Sequence, residues 1–209
     1  RRRLPNFEKL KSLLEAGVIG DIRLVNIELH KTIDPDIVAN TTTPMPVNWR
    51  IDPEVAGGGY FFDLAAHQLD YLDYALGPIQ FVSGYAANQA GLYKAADIIT
   101  SSFVFENGIL GTGSWCFTVD KIAEKDQMTI VGSKGQLRIP FFGAPKIFVE
   151  KSNLATEVLE FELPHHIQQP LIETVVNDLL GKGTCPSTAE SAIRTNWVME
   201  EMTKNYYQS

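Results

Sequence analysis

The sequence predicts an α+β fold in which helices pack on one face of an open, mostly antiparallel sheet. Two observations carry this prediction. Strand-like apolar runs follow one another between about residues 79 and 163, whereas helical periodicity is confined to the two ends of the chain and to residues 60–76. A doubly wound parallel sheet is excluded because its strands and helices would have to alternate along the chain.

The composition is that of an ordinary globular protein, with 44% hydrophobic and 21% charged residues among 209, and one domain over residues 1–209 is expected. A net charge of -7 argues against nucleic-acid binding, which needs a surplus of Lys and Arg. No apolar run approaches the roughly 20 residues of a membrane span. Cys116 and Cys185 are too few for a disulfide framework or a cysteine metal motif. The expected partner is a small molecule, with no nucleic acid, membrane or metal.

The first quarter of the chain predicts a helix, a strand and a long loop. Pro5 starts an amphipathic helix that Gly17 ends. In IRLVNIELHK, apolar and polar residues alternate, which is typical of a strand with one buried face. Residues 32–56 carry four prolines and no usable period, so we expect an unusually long loop there, of a kind that is commonly functional.

The middle and the tail of the chain predict a run of strands and then two helices. Asn107-Gly108 predicts a hairpin with a type I′ turn, and Ser133-Lys134-Gly135 a second tight turn. The helix in PLIETVVNDLL should end at Gly181, and Ser187–Glu190 reads as a capping box for a last helix reaching about Tyr206. The strand-like runs are IQFVSGYA, DIITSSFVFE, ILGTGSWCFTV, QMTIVG, QLRIPFF, KIFVE and LATEVLEFEL.

The helix predicted at about 60–76 has two distinct sides. Its apolar stripe comprises Phe62, Ala65, Ala66, Leu69, Leu72 and Leu76; beside it, one sector of about 60° holds Asp63, His67, Asp70 and Tyr74. A carboxylate one turn from an imidazole can orient the ring and stabilise its protonated form, as a general base or acid requires. The residues alone leave a structural alternative open, in which the helix dipole favours Asp63 and His67 is an ordinary solvated histidine.

The residues just before this helix are candidates for ligand binding. Gly58 and Gly59 would let the backbone approach a ligand closely. Trp49 and Arg50 offer a stacking face and a planar guanidinium for a substrate, although a loop anchor would use the same residues. The chain contains no GxGxxG and no GxxxxGK[ST], so it shows no phosphate-binding loop of its own.

These motifs resemble the C-terminal domain of the Gfo/Idh/MocA oxidoreductases, the glucose-fructose oxidoreductase and inositol dehydrogenase family. The similarity spans nearly the whole chain and is most specific in NWRIDPEVAGGGYFFDLAAHQLDYLDYALG, which resembles the family's W-R...GGG...D-x-G-x-H...D motif. Ala65 stands where the family usually has Gly. RRRLPNFEKLKSLLEAGVIGDIRLV, QMTIVGSKGQLRI and TAESAIRTNWVMEEM resemble further family segments.

The resemblance implies a dihydrodipicolinate-reductase-like C-terminal domain of an NAD(P)-dependent oxidoreductase acting on a sugar or polyol hydroxyl. It implies that His67 transfers the proton and that Asp63 works with it, while Asp70, Tyr74, Trp49 and Arg50 hold substrate hydroxyls. NAD or NADP would be bound mainly by an N-terminal Rossmann domain that is absent from this chain. The 209 residues alone are therefore expected to be inactive.

Three functional hypotheses remain open at this point: a sugar or polyol dehydrogenase, an NAD-dependent glycosidase of the same architecture, and a non-catalytic binding or scaffold module. The family resemblance also implies a homodimer or homotetramer formed through the open face of the sheet. Because the chain has no initiator Met, we interpret it as a piece of a longer protein. A cytoplasmic location is expected, and any export signal would lie in the missing half.

Overall fold

The computed structural model describes residues 1–33 and 49–208, in which eight strands form one sheet. The strands are β1 (Ile22–His30), β2 (Ile79–Ala87), β3 (Ile98–Phe105), β4 (Leu110–Cys116), β5 (Lys125–Gly132), β6 (Gly135–Ile139), β7 (Lys146–Glu150) and β8 (Glu157–Glu160). Their order across the sheet is β2-β3-β4-β1-β5-β6-β7-β8. The pair β1–β4 is parallel and the other pairs are antiparallel. The predicted open, mostly antiparallel sheet is confirmed.

Five helices accompany the sheet, and three of them, from both ends of the chain and from its middle, cover its inner face. The five helices are α1 (Pro5–Glu15), α2 (Pro53–Ala56), α3 (Gly59–Leu76), α4 (Gln169–Leu179) and α5 (Ala189–Tyr207), with short 3-10 turns at Trp49–Ile51 and Lys121–Ala123. Buried residues of α1, α3 and α5 join the inner side of the sheet in one apolar cluster. Helices α2 and α4 differ because none of their residues is buried.

The predicted alternation of β1 is confirmed, since Val25, Ile27 and Leu29 are completely buried while their neighbours are half-buried or exposed. On β4, the Trp115 indole fixes α3 against the same inner face. Its Nε1 donates a hydrogen bond of 2.8 Å to Gln68 Oε1, and its ring lies 5.1 Å from that of Phe61. This contact turns one side of α3 into the core and leaves the opposite side for the candidate site.

Helix α5 comes unusually close to the edge strand β2 at Gly84. A Cβ atom placed there would lie 2.5 Å from the carbonyl oxygen of Met202 and 2.7 Å from its Cα. The Asn205 side chain reinforces this contact, because its Oδ1 accepts from the Ala86 N–H and its Nδ2 donates to the Ala86 carbonyl, at 2.9 and 2.8 Å. Only glycine permits such an approach of helix to strand.

The apolar stripe predicted for α3 is rotated in the structure. Phe62 and Ala66 are only partly buried, whereas Phe61, Gln68, Tyr71 and Asp73 join the four other predicted positions in the interior. Polar partners make this rotation possible. Tyr71 Oη donates to the Phe7 carbonyl at 2.7 Å, and the Asp73 carboxylate accepts two hydrogen bonds of 2.9 and 2.6 Å from Arg194.

The hairpin predicted at Asn107-Gly108 is present, but the type I′ turn is wrong. Gly108 has a φ of 85°, whereas Asn107 is not among the residues with positive φ. The Gly108 N–H donates to the Phe105 carbonyl, which gives a type I turn followed by a glycine bulge. Asn107 is held by tertiary contact, since its Nδ2 donates to the Leu76 carbonyl at 2.7 Å. The second predicted turn does join β5 to β6.

The capping box of the last helix lies one residue later than predicted. Thr188, not Ser187, is the N-cap, and Ser191, not Glu190, reciprocates: Thr188 Oγ1 accepts from the Ser191 N–H, and Ser191 Oγ accepts from the Thr188 N–H. The position moves because a serine three residues after the cap can close the box as well as a glutamate can. Glu190 remains in the first turn of α5.

The predicted loop over residues 32–56 falls mainly on residues 34–48, which lie outside the described part of the chain. Its last residues form a 3-10 turn and a short helix instead of a loop. Pro53 begins α2, the Asp52 carboxylate caps it by accepting from the Glu54 N–H at 3.0 Å, and Gly57 ends it with a φ of 74°. The chain therefore enters α3 through two short helical turns.

Candidate functional site

The four polar residues predicted on one side of α3 have different surroundings in the structure. His67 is exposed, and Asp63, Asp70 and Tyr74 are half-buried. Each of the three half-buried side chains contacts a cation from another part of the chain, whereas His67 has no ion pair within residues 1–33 and 49–208. His67 is therefore the member of the set that is most available to a ligand.

The pKa of His67 is lowered from its ordinary value of 6.5. Removal of water by the surrounding protein is the largest cause, and the positive charge of Arg1 adds to it, while Asp63 and Asp70 act in the opposite direction. The ring of Phe142 packs edge-on to the imidazole, with 6.1 Å between their centroids. A lowered pKa keeps the imidazole neutral at pH 7, so that one of its ring nitrogens can accept a proton.

Asp63 is held by Arg50 rather than by His67. Arg50 Nε donates a hydrogen bond of 2.8 Å to Asp63 Oδ2, and the same guanidinium lies 4.5 Å from the centre of the Trp49 ring. No hydrogen bond joins Asp63 to His67 in the described structure. Asp63 thus influences the imidazole through its charge, and it also ties the Trp49–Arg50 segment to α3.

Asp70 and Tyr74 are both engaged by Arg2, a side chain only 4% exposed. The Arg2 guanidinium donates to both Asp70 oxygens, at 2.9 and 2.5 Å, and lies 4.9 Å from the centre of the Tyr74 ring. It also donates to Ser191 Oγ at 3.0 Å and to the Pro186 carbonyl. This network joins the start of the chain, α3 and α5 along one side of the site.

The glycines before α3 serve close packing. A Cβ atom at Gly58 would collide with the Phe62 ring at 2.1 Å. Gly59 has a φ of 72°, and a Cβ atom there would lie 2.5 Å from that of Ala95. The bare sides of both residues therefore face neighbouring side chains of this chain.

His67 lines a cavity of about 410 Å³, a volume within the range of small-molecule sites. Sequence reasoning missed most of its walls, because they come from distant segments with no common motif. The other lining residues are Arg1, Leu4, Ala66, Asp70, Ile167, Gln168, Leu171, Ile172, Ser187, Ala192, Thr195 and Asn196. Of the predicted site residues, the cavity brings together only His67 and Asp70; Asp63, Tyr74, Trp49, Arg50, Gly58 and Gly59 are not among its lining residues.

The described residues contain no cluster of three or more metal-ligating side chains and no helix long and apolar enough to cross a membrane. Cys116 and Cys185 are free. His165 and His166 pack their rings together at 4.5 Å on an exposed segment. The polar groups that line the cavity are one imidazole, one guanidinium, one carboxylate, hydroxyls and amides.

A family model described as the GFO/IDH/MocA C-terminal domain matches residues 7–138. The chain belongs to the Gfo/Idh/MocA oxidoreductase family. It is 32% identical over 200 residues to Oxidoreductase P35 of Formosa agariphila, a match that covers 96% of this chain and 59% of that protein. The family resemblance drawn from the sequence motifs is confirmed.

Solved structures share the fold of this Gfo/Idh/MocA domain. Levoglucosan dehydrogenase in complex with NADH superposes with a TM-score of 0.80 at 16% identity, covering 99% of this chain and 62% of that one. The WlbA dehydrogenase from Bordetella pertussis, in complex with NADH and UDP-GlcNAcA, superposes with a TM-score of 0.71 at 20% identity. This match covers 98% of this chain and 59% of that one. The chain spans about three fifths of the length of these proteins.

Proposed function

We propose that this chain is the substrate-binding and catalytic C-terminal half of an NAD(P)-dependent oxidoreductase acting on a sugar or polyol hydroxyl. The observation that carries the proposal is the position of His67, whose imidazole lines a cavity of about 410 Å³ at the exposed side of α3. The lowered pKa of His67 agrees with a role as proton acceptor. Family membership and the NADH in two solved structures of the same fold support the cofactor class. The cofactor would be bound by an N-terminal Rossmann domain of the parent protein.

The proposed chemistry divides between the cofactor and this chain. When bound, the nicotinamide supplies the hydride acceptor. His67 accepts the proton of the substrate hydroxyl at a ring nitrogen, so that the C–H and O–H bonds break as the carbonyl forms. Partial loss of water around the ring and the charge of Arg1 favour the neutral imidazole that this step needs, and Asp63 favours the imidazolium that results from it.

The remaining predicted residues take supporting roles in this proposal. We propose that Asp63 and Arg50, which do not line the cavity, support the site by holding the Trp49 segment beside α3. Asp70 lines the cavity as a hydrogen-bond acceptor while its charge is balanced by Arg2. Tyr74 lies under the Arg2 guanidinium, and we propose it as a support for Asp70.

The test is nicotinamide reduction by the full-length parent with a panel of polyols and aldoses. His67→Ala should lower kcat/KM on the best compound by about 10²–10⁴-fold, the usual contribution of general acid–base catalysis. His165→Ala is the matched control and should keep the parental rate, because His165 is exposed and does not line the cavity. Parental rates in both His67→Ala and Asp63→Asn would refute the assignment.

We also propose that two copies associate through the open face of the sheet. Strand register aligns a row of apolar side chains on this face: Phe81, Val104, Leu110, Leu24 and Val131. Phe81 and Leu110 are 62% and 54% exposed, which leaves apolar surface for a second copy to cover. Sedimentation should give a dimer or tetramer that Phe81→Lys with Leu110→Lys dissociates, and a parental protein that is already monomeric would contradict the proposal.

A further inference from the structure

Arg1 places a guanidinium in the wall of the His67 cavity, where no carboxylate of residues 1–33 and 49–208 forms an ion pair with it. The residue is only half exposed, and the described structure gives its guanidinium neither a salt bridge nor a hydrogen bond. It stacks instead on aromatic rings, 5.0 Å from the centre of Phe142 and 5.9 Å from that of Phe141. A cation that has lost part of its water and gained no anion is unfavourable unless a ligand supplies the anion.

The carboxylates near Arg1 are already committed to other groups. Asp126, whose charge acts on Arg1, accepts backbone hydrogen bonds from Phe141, Phe142 and Gly143 at 3.0, 2.7 and 2.7 Å. Asp70 lines the same cavity but is bound on both oxygens by Arg2. The charge of Arg1 therefore remains available to a ligand in the cavity.

Burial agrees with this interpretation, because it lowers the pKa of Arg1, and the charge of Asp126 offsets only part of that effect. His67 packs against the same Phe142 ring, so an anion at Arg1 would lie beside the proposed proton acceptor. Gln168, Ser187 and Asn196 also line the cavity and carry amide and hydroxyl groups suited to hydroxyls of a ligand.

We propose that the substrate of this site is a sugar acid, whose carboxylate binds Arg1 while a hydroxyl lies at His67. This inference rests on the proposed function and adds the substrate class to it. A carboxylate matches the planar fork of a guanidinium and can form two parallel hydrogen bonds with it. A neutral polyol could fill the cavity but would leave the Arg1 charge uncompensated.

The experiment compares matched neutral and acidic sugars in the full-length parent: glucose with glucuronate and gluconate, and galactose with galacturonate. Nicotinamide reduction and calorimetric binding are both measured, and glucose 6-phosphate tests whether a phosphate serves as the anion instead. The variants are Arg1→Met and Arg1→Lys. The matched control is Arg3→Met, because Arg3 is 41% exposed, pairs with Glu8 and does not line the cavity.

We expect kcat/KM to favour an acid over its neutral counterpart by about 10–100-fold, the strength of a charge-assisted hydrogen-bonded pair. Arg1→Met should remove this preference mainly through KM, Arg1→Lys should keep part of it, and Arg3→Met should keep all of it. Added salt should raise KM for the acids only. The affinity for NAD(P) should be unchanged in Arg1→Met, which separates a substrate anion from the phosphates of the cofactor.

The binding measurement distinguishes failure of this inference from failure of the proposed function. Turnover of neutral sugars with no preference for acids, or a preference for the phosphate alone, would overturn the inference and leave the proposed function standing. Acid binding that depends on Arg1 but is accompanied by no turnover would support the inference and refute the proposed function. If neither the acids nor the neutral sugars bind or react, both are overturned.

Discussion

Replacing Arg2 should destabilise the fold far more than replacing its neighbour Arg3. The Arg2 side chain is 4% exposed and makes a two-pronged ion pair with Asp70, whose side chain is 27% exposed. Removing one partner of a buried ion pair lowers the free energy of unfolding by about 3–5 kcal/mol. Because Asp70 is partly accessible to water, Arg2→Met should lie near the lower end of this range, at about 3 kcal/mol. The hydrogen bonds to Ser191 and Pro186 are lost as well.

Urea unfolding of the 209-residue chain measures this effect. With a slope of about 2 kcal/mol per molar urea, Arg2→Met should lower the midpoint by about 1.5 M. Arg3→Met removes an exposed pair with Glu8 and should cost less than about 1 kcal/mol. The reasoning is refuted if the two variants unfold at the same midpoint, or if Asp70→Asn in the Arg2→Met background costs as much as Asp70→Asn alone.

Two further substitutions test the packing of α5 and the acid stability of the sheet. Gly84→Ala should lower the free energy of unfolding in urea by about 1–3 kcal/mol, since its Cβ would lie 2.5 Å from the Met202 carbonyl oxygen. The control Ser83→Ala, on the exposed side of β2, should leave this free energy nearly unchanged. Hydrogen bonding from Arg138 lowers the pKa of Glu150, so Glu150 stabilises the fold above about pH 4.5 and loses that effect as the pH falls through its folded pKa. Glu150→Gln should be less stable than the parent by under about 1 kcal/mol at pH 7 and equally stable at about pH 2, and an equal deficit at both would contradict this.

Local sequence patterns were sufficient for most elements of the fold. In β1 and α3 one side is buried, and the spacing of apolar residues along the sequence shows this directly. Contacts distant in sequence decide the rest. Asn107 avoids the predicted turn type because its side chain reaches Leu76, and Asp73 is buried because Arg194, 121 residues away, neutralises it. The parallel pairing of β1 with β4 likewise has no local signal.

The candidate site was predictable only on α3. The spacing of Asp63 and His67 placed them on the same side of one helix, but it could not show that Arg50 forms an ion pair with the Asp63 carboxylate. Arg1 and Asn196 reach the cavity from opposite ends of the chain, and no periodicity connects them. The three arginines at the start of the sequence were the available signal for Arg1, but the sequence could not show which of them lies near His67.

The pH dependence of kcat/KM for alcohol oxidation by the full-length parent tests the role of His67 most directly. We predict that the rate rises with pH to a plateau, with an apparent pKa below the ordinary 6.5 of histidine, because the imidazole must be neutral to accept the proton. His67→Asn should abolish this rising limb. A limb that persists unchanged in His67→Asn would contradict the account.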